Sequence, residues 1–390
     1  MGAFPDEIGN FYDWLQNQNY GFGANDFVPR KLYGGYLRDV IENAVRNKPA
    51  NAVFNLFDDE AVDIAIDDSQ AQVILKLGDI LFSNKVVLAF GNFLPPHPTV
   101  IDQNFISAPK YFQDPWAPKV YETIGQKDSV LIVGTGLSMV DLAMHYHEVS
   151  HKGKISAIST RGLLPASHRF GDPYPSFYEE LKSQTLITGL LKTVRRHIDL
   201  AARQNLDWRG VVDSIRPVSQ QIWIGLPMEE KRYFMQHLSR YWNVARHRMP
   251  PEAAGTLAEM QADGRLEILR GRLKKIDVVD EAFDISYHAD GIESLITVNA
   301  VINCIGSESN FENLDAPLVK NLFRGGHIKN DALSLGIDAL PDGRTIGGDG
   351  KISNVIYTLG TALKGVLWET TAIPEIRGQA KSLAVKLLSD

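Results

Sequence analysis

The stretch with the most chemical content is Val130-Leu131-Ile132-Val133-Gly134-Thr135-Gly136-Leu137-Ser138-Met139-Val140-Asp141. An apolar run of strand length enters Gly-x-Gly directly, and an amphipathic segment carrying Leu142, Ala143 and Tyr146 leaves it. The first glycine permits a tight turn and the second lets the backbone come close to a phosphate. The start of the following helix then offers free N–H groups and the positive end of its dipole. Strand, turn and helix in that order are the context a pyrophosphate cradle needs, so Gly134, Thr135, Gly136, Leu137 and Ser138 are candidate dinucleotide-binding residues. Met139 stands where the third glycine of the fingerprint would be, which predicts less close packing of helix on strand. The plainer alternative is a tight strand–helix turn in some other doubly wound protein.

The next strand, 154–159, ends Ser159-Thr160-Arg161, with His168 and Arg169 close behind and no carboxylate. An NAD site usually ends this strand with Asp or Glu for the ribose 2′-hydroxyl, whereas an Arg suits a 2′-phosphate. Thr160 and Arg161 therefore point to NADP(H). The alternative for Arg161 is an ordinary solvated loop cation.

Two other patterns invite chemistry and do not sustain it. His147-Glu148-Val149-Ser150-His151 spells the His-Glu-x-x-His signature of zinc hydrolases, which needs one helix face and a third ligand. Here it falls where Lys152-Gly153-Lys154 turns the chain into the next strand, and cationic residues suit a helix end on their own account. No metal site is expected. Arg240-Tyr241-Trp242-Asn243-Val244-Ala245-Arg246-His247-Arg248 interleaves cations and aromatics as a nucleic-acid surface would, but a solvated helix face is the simpler reading. Cys304 reads as a small buried hydrophobe at a strand end rather than a redox thiol. No acid, base or nucleophile stands out, so no catalytic residue is assigned.

The elements that must hold these residues follow from periodicity. Helical spacing appears at Phe11, Trp14, Leu15 and again from Tyr36 to Val45. Short alternating segments at 62–66 and 73–77 read as antiparallel strands with turns at Asp67-Asp68 and Gly78-Asp79. Lys85 to Phe90 reads as a strand buried on both faces, and the prolines from 95 to 118 as a domain crossing. Strand and helix then alternate from Ser129 to Ser159, long helical stretches fill 175–250, and strands resume at 266–269, 276–279 and 298–305. One more strand is expected at 355–359, with a closing helix from Pro374 to Leu388. The fold class is α/β.

In 390 residues, 44% are hydrophobic and 22% charged, which suits a soluble globular chain and sets aside disorder. The net charge of -7 gives no reason to expect nucleic acid or an anionic membrane as partner. A single cysteine excludes an internal disulfide framework and fits a reducing, cytoplasmic setting. The first residues lack the basic and apolar regions of a secretory signal, and no apolar run approaches the ~18 residues of a membrane span.

Further motifs line up with one group. These are Gly2-Ala3-Phe4-Pro5-Asp6, Phe27-Val28-Pro29-Arg30-x-x-Tyr33-Gly34-x-Tyr36-Leu37, Leu88-Ala89-Phe90-Gly91-Asn92, Thr160-Arg161-Gly162-Leu163-Leu164-Pro165, Ile302-Asn303-Cys304-Ile305-Gly306 and Gly365-Val366-Leu367-Trp368-Glu369-Thr370-Thr371-Ala372-Ile373-Pro374. Over nearly its whole length the chain resembles the uncharacterised FAD/NAD(P)-binding proteins, relatives of flavin monooxygenases and lysine/ornithine N-hydroxylases. The resemblance implies two Rossmann-like domains, an FAD domain interrupted by an NADP domain: residues 1–120, then 121–308 with the helical insertion at about 175–250, then a return over 309–390. It implies FAD as a second cofactor, with Pro29, Arg30, Tyr33, Gly91, Asn92, Trp368, Glu369 and Thr370 as the remaining flavin contacts. Thr370 or Thr371 is the expected N-cap of the closing helix, whose N-terminus would face the flavin.

One departure accompanies these matches. The group opens with a strand–helix–strand unit bearing its own Gly-x-Gly-x-x-Gly, and no such motif precedes Gly134. The first FAD-domain strand is therefore expected to be missing. Two functions stay in contention. One is an FAD-dependent oxidoreductase in which NADPH reduces the flavin, with hydroxylation suggested by the kinship, acting on a small-molecule substrate or electron acceptor. The other is a non-catalytic NADP(H)-binding module that has lost FAD.

Overall fold

The computed structural model describes residues 2–67 and 70–389. The turn expected at Asp67-Asp68 thus falls partly outside the described residues, as do Met1, Ser69 and Asp390. Two compact units form: a first, discontinuous one made of Met1–Gly91 with Ser309–Asp390, and a second of Asn92–Glu308.

The second unit is built on a parallel sheet whose strands run in the order Tyr111–Phe112, Ala300–Asn303, Val130–Val133, Ile155–Ser159, Leu266–Arg270. All four residues of 130–133 are buried, as a strand covered on both faces requires. Its alternation decides what each face touches. Val130 and Ile132, with Ile155, Ala157, Ala300 and Ile302, pack under helices Leu137–Glu148 and Pro251–Ala262 through Met139, Leu142, Ala143, Leu257 and Met260. Leu131 and Val133, with Ile158 and Val301, pack on the opposite side against Ile276, Phe283, Ile285 and Val298. Those four come from an antiparallel sheet of Arg272–Val279, Ala282–Ala289 and Ile292–Val298. Met139 is fully buried in the helix-side core, so this packing accommodates a long flexible side chain where a glycine was missed.

The expected strand 298–305 is two strands in two sheets. Asn299 breaks it: its Oδ1 accepts from the Ser129 N–H at 2.8 Å and the Ser129 Oγ at 2.9 Å, pinning the corner. The expected border near residue 120 also shifts. Residues 92–120 lie in the second unit, where Tyr111–Phe112 pairs with Ala300–Asn303. There Asn303 and Gln113 hold the Pro96 and Pro95 carbonyls, each at 2.8 Å. Six helices between Tyr178 and Arg246 form the insertion around Phe177, Leu181, Ala201, Val211 and Ile215. The last of the long helical stretches expected over 175–250 breaks at Leu238 into Met228–His237 and Ser239–Arg246.

The first unit carries an antiparallel sheet of Ala61–Asp67, Gln70–Leu75 and Ile80–Ser83. A second sheet runs Arg344–Ile346, Ile352–Thr358, Val86–Leu88, with its last pair parallel. The expected strand 85–90 is shorter, only Leu88 of it is buried, and its outer edge carries no strand among the described residues. Helices Asn10–Asn17 and Arg30–Arg46 meet through Phe11, Leu15 and Tyr36. The Tyr36 hydroxyl donates to Asn10 at 2.6 Å and accepts from the Ala3 N–H at 2.8 Å. No helix of the described residues is long and apolar enough to cross a membrane.

Three histidines of the second unit, His97, His151 and His168, are held below the ordinary imidazole range, each chiefly by burial. Below about pH 6.5 the unfolded chain takes up protons that the folded unit refuses, so stability falls as pH drops through that range. We expect a lower melting temperature at pH 5.5 than at pH 7.5, with the gap narrowed by His151→Gln, which keeps a donor for the Asp128 carbonyl 2.9 Å away. An unchanged gap in calorimetric scans of the variant would show that His151 is protonated equally in both states.

Candidate functional site

Gly134 sits at φ +115°, and a Cβ there would stand 2.3 Å from the Cys304 carbonyl oxygen and 2.7 Å from its carbon. The crowding arises because Cys304 N–H donates to Val133 O at 2.7 Å, extending the strand pair to its last residue. Gly136 is the opposite case: its φ is an ordinary -84° and a Cβ would meet nothing within 4 Å. Its value lies in the open approach it leaves. Among the described residues nothing accepts from the N–H groups of Thr135, Gly136, Leu137 and Ser138. Consecutive free N–H groups at the start of a 12-residue helix are an anion-binding arrangement.

Thr135 is buried, and its hydroxyl bonds Leu163 O at 2.6 Å and Ser159 Oγ at 2.9 Å. Ser159 Oγ also accepts from the Gly162 N–H at 3.0 Å. The glycine turn is thus tied to the turn carrying Thr160 and Arg161, both exposed. Arg161 has no hydrogen-bond or ion-pair partner among the described residues. The residues picked at 134–138 and at 160–161 therefore come together, with Thr135 holding two turns rather than presenting its hydroxyl. Ser159 was missed, because a serine at a strand end carries no signal until its partner across the sheet is known.

The backbone breaks the His-Glu-x-x-His match. The helix ends at Glu148 and Ser150 turns at φ +53°, so His151 leaves the helix and cannot share a face with His147. Among the described residues no cluster could hold a metal ion. Burial, with Asp141 adding to it, pushes the Cys304 thiol up to about 12, which suits a buried hydrophobe.

In the first unit the two parallel strands end side by side. Gly91 and Gly360 both take φ +72° with open space where a Cβ would be, and the Thr361 hydroxyl donates to the Gly91 carbonyl. Ligands of open α/β sheets bind beyond such strand ends. Gly360 and Thr361 were missed by sequence, although a strand running into Leu359-Gly360-Thr361 is a usable signal. Downstream, Trp368 is buried at φ +62°, ψ -68°, and Glu369 N–H reaches back to Leu367 O at 2.8 Å. This is the rare, strained form of γ-turn. Lys364 Nζ lies 5.6 Å from the Trp368 ring, and burial lowers its ammonium's pKa, Glu369 opposing.

Thr370 is fully buried and its hydroxyl has no partner. It does not cap the final helix, nor does Thr371. Glu375 and Ile376 N–H both donate to Ala372 O, so the helix Ile373–Ser389 starts from Ala372. Pro29 precedes the helix 30–46, and Arg30 is its exposed first residue. The Tyr33 hydroxyl is buried without a partner, and burial raises its pKa, Tyr36 adding and Arg377 opposing. Asn92 falls in the second unit. Open glycines, an unsatisfied buried hydroxyl and a helix start fit the flavin end of FAD. No glycine-rich strand–turn–helix for its pyrophosphate occurs among the described residues of this unit.

The fold is similar to that of two-dinucleotide-binding flavoproteins. Residues 1–93 match the family described as FAD-NAD(P)-binding. An uncharacterized protein of Mycobacterium tuberculosis is 22% identical over an alignment covering 79% of this chain and 62% of that one, so the chain spans less than two thirds of that relative. Among solved structures, L-lysine 6-monooxygenase from Pseudomonas syringae superposes with a TM-score of 0.66 at 14% identity, over 97% of this chain and 81% of that one. The ornithine N-hydroxylase of Kutzneria, solved with reduced FAD, NADP+ and L-ornithine, gives 0.60 at 13% identity, over 98% and 81%. At such identities the likeness is one of fold.

The two glycines predict opposite behaviour. Gly134→Ala is expected to destabilise the second unit by several kcal/mol, about 2–4, through collision and backbone strain. Gly136→Ala is expected to leave the melting temperature within a few degrees while weakening dinucleotide binding. Scanning calorimetry with a dinucleotide titration checks both, and a stable Gly134→Ala would refute the crowding argument.

Proposed function

We propose that this chain is an FAD-dependent oxidoreductase that takes its electrons from NADPH, of the monooxygenase-like kind, with a small-molecule substrate. The observation that carries the NADPH half is the row of free N–H groups from Thr135 to Ser138 beside the unpartnered Arg161. These N–H groups would hold the pyrophosphate, and Arg161 the 2′-phosphate. Thr135 and Ser159 keep the two subsites in fixed register. In the first unit Gly91, Gly360 and Thr361 would border FAD, while Thr370 offers it a hydroxyl and the Ile373–Ser389 helix its N-terminus. Bound flavin supplies hydride acceptance and onward electron transfer to oxygen or an organic acceptor; the protein contributes binding, orientation and field. Kinship with lysine and ornithine hydroxylases supports hydroxylation of a small amine-bearing molecule. The single buried cysteine supports a cytoplasmic setting.

The second reading is an NADP(H)-binding module without flavin. The visible spectrum of the purified chain decides. Flavin bands near stoichiometry that bleach with NADPH are expected. A colourless, folded chain that still binds NADPH would establish the second reading.

A further inference from the structure

The strand ends beside Arg161 hold a second guanidinium. Ser159 pairs with Arg270 across the parallel sheet, and Gly271 N–H donates to Ser159 O at 2.9 Å. Gly162, at φ +59°, lies against Arg270: a Cβ on it would stand 3.2 Å from the Arg270 Cβ and 3.5 Å from its Cα. The residue after Arg161 therefore touches Arg270, and the two cations flank one turn. Arg270 has a loose partner, Asp290, at 3.8 Å, with the two side chains 58% and 74% exposed. Such a solvated pair contributes little to stability. Asp290 sits in the turn between strands 282–289 and 292–298, at φ +49°.

We propose that Arg270 joins Arg161 in gripping the 2′-phosphate of NADPH and is a specificity-determining residue, with Asp290 as its resting counter-ion. This rests on the NADPH reading above. A phosphate dianion accommodates two guanidiniums with charge-assisted hydrogen bonds, whereas the 2′-hydroxyl of NADH offers the second one nothing comparable. Asp290, the carboxylate paired with Arg270, opposes the phosphate and favours Arg270 only while the site is empty.

The test is the dissociation constant of NADPH and of NADH, by calorimetry, for the full chain and for Arg161→Gln, Arg270→Gln and Asp290→Asn. Asparagine tolerates positive φ as well as aspartate does, so the last variant keeps the turn. Arg270→Gln is expected to weaken NADPH about tenfold or more, with NADH changed less than about twofold. Asp290→Asn is expected to tighten NADPH severalfold and leave NADH alone. If Arg161→Gln lowers the NADPH preference and Arg270→Gln does not, Arg270 is a hairpin ion-pair residue and the inference fails while the NADPH reading stands. Equal weakening of both dinucleotides by Arg270→Gln also overturns it. A parent chain that binds neither dinucleotide overturns the NADPH reading and this inference together.

Discussion

The second unit depends on one crowded point: the Cys304 carbonyl oxygen occupies the place where a side chain at residue 134 would project. Strands 130–133 and 300–303 stay paired to Asn303 opposite Val133, and the Cys304 N–H adds one more bond to Val133 O. The chain at 134 must leave this pair on a positive φ, which glycine adopts without strain. That exit fixes the direction of the Leu137–Glu148 helix and so where the free N–H groups lie. The anion-facing geometry is a consequence of how two strands end. The need for glycine at 134 would persist if no phosphate ever bound.

Polar groups behave differently around the two glycine turns. The Thr135 and Ser159 hydroxyls are both answered: they bond each other, Thr135 reaches Leu163 O, and Ser159 accepts from the Gly162 N–H. A satisfied buried network of this kind rigidifies what it joins. In the first unit the Thr370 and Tyr33 hydroxyls are buried without partners, and Trp368 is held in a strained turn. Strained backbone and unsatisfied buried groups are common at ligand sites.

What was legible in the sequence was local. Val130 to Ser138 declared itself because strand, turn and helix are contiguous, and their chemistry is set by neighbours in the chain. The fold class followed from the same alternation. What stayed hidden was non-local. Tyr111–Phe112 is too short to show a period, and becomes a strand because Ala300–Asn303 offers it an edge. Asn299 breaks an apolar run through a partner 170 residues away. Thr370 looked like a cap from its type and position, but Ala372 O receives the helical bonds. Arg270 drew no notice because its significance lies across the sheet, at Ser159 and Gly162.

The first unit is assembled from the two ends of the chain. Thr358 Oγ1 donates to Leu88 O across 270 residues of sequence, and Val86–Leu88 finds its parallel neighbour at Ile356–Thr358. During synthesis at roughly 5–20 residues per second, the early strand waits on the order of tens of seconds for its mate. The intervening 92–308 unit has all its own strands by then. The chain therefore emerges from the ribosome with its middle able to fold first and its beginning unfinished. Closing the 92–308 unit brings residues 91 and 309 to fixed positions, which shortens the loop that the outer sheet must close and lowers its entropic barrier.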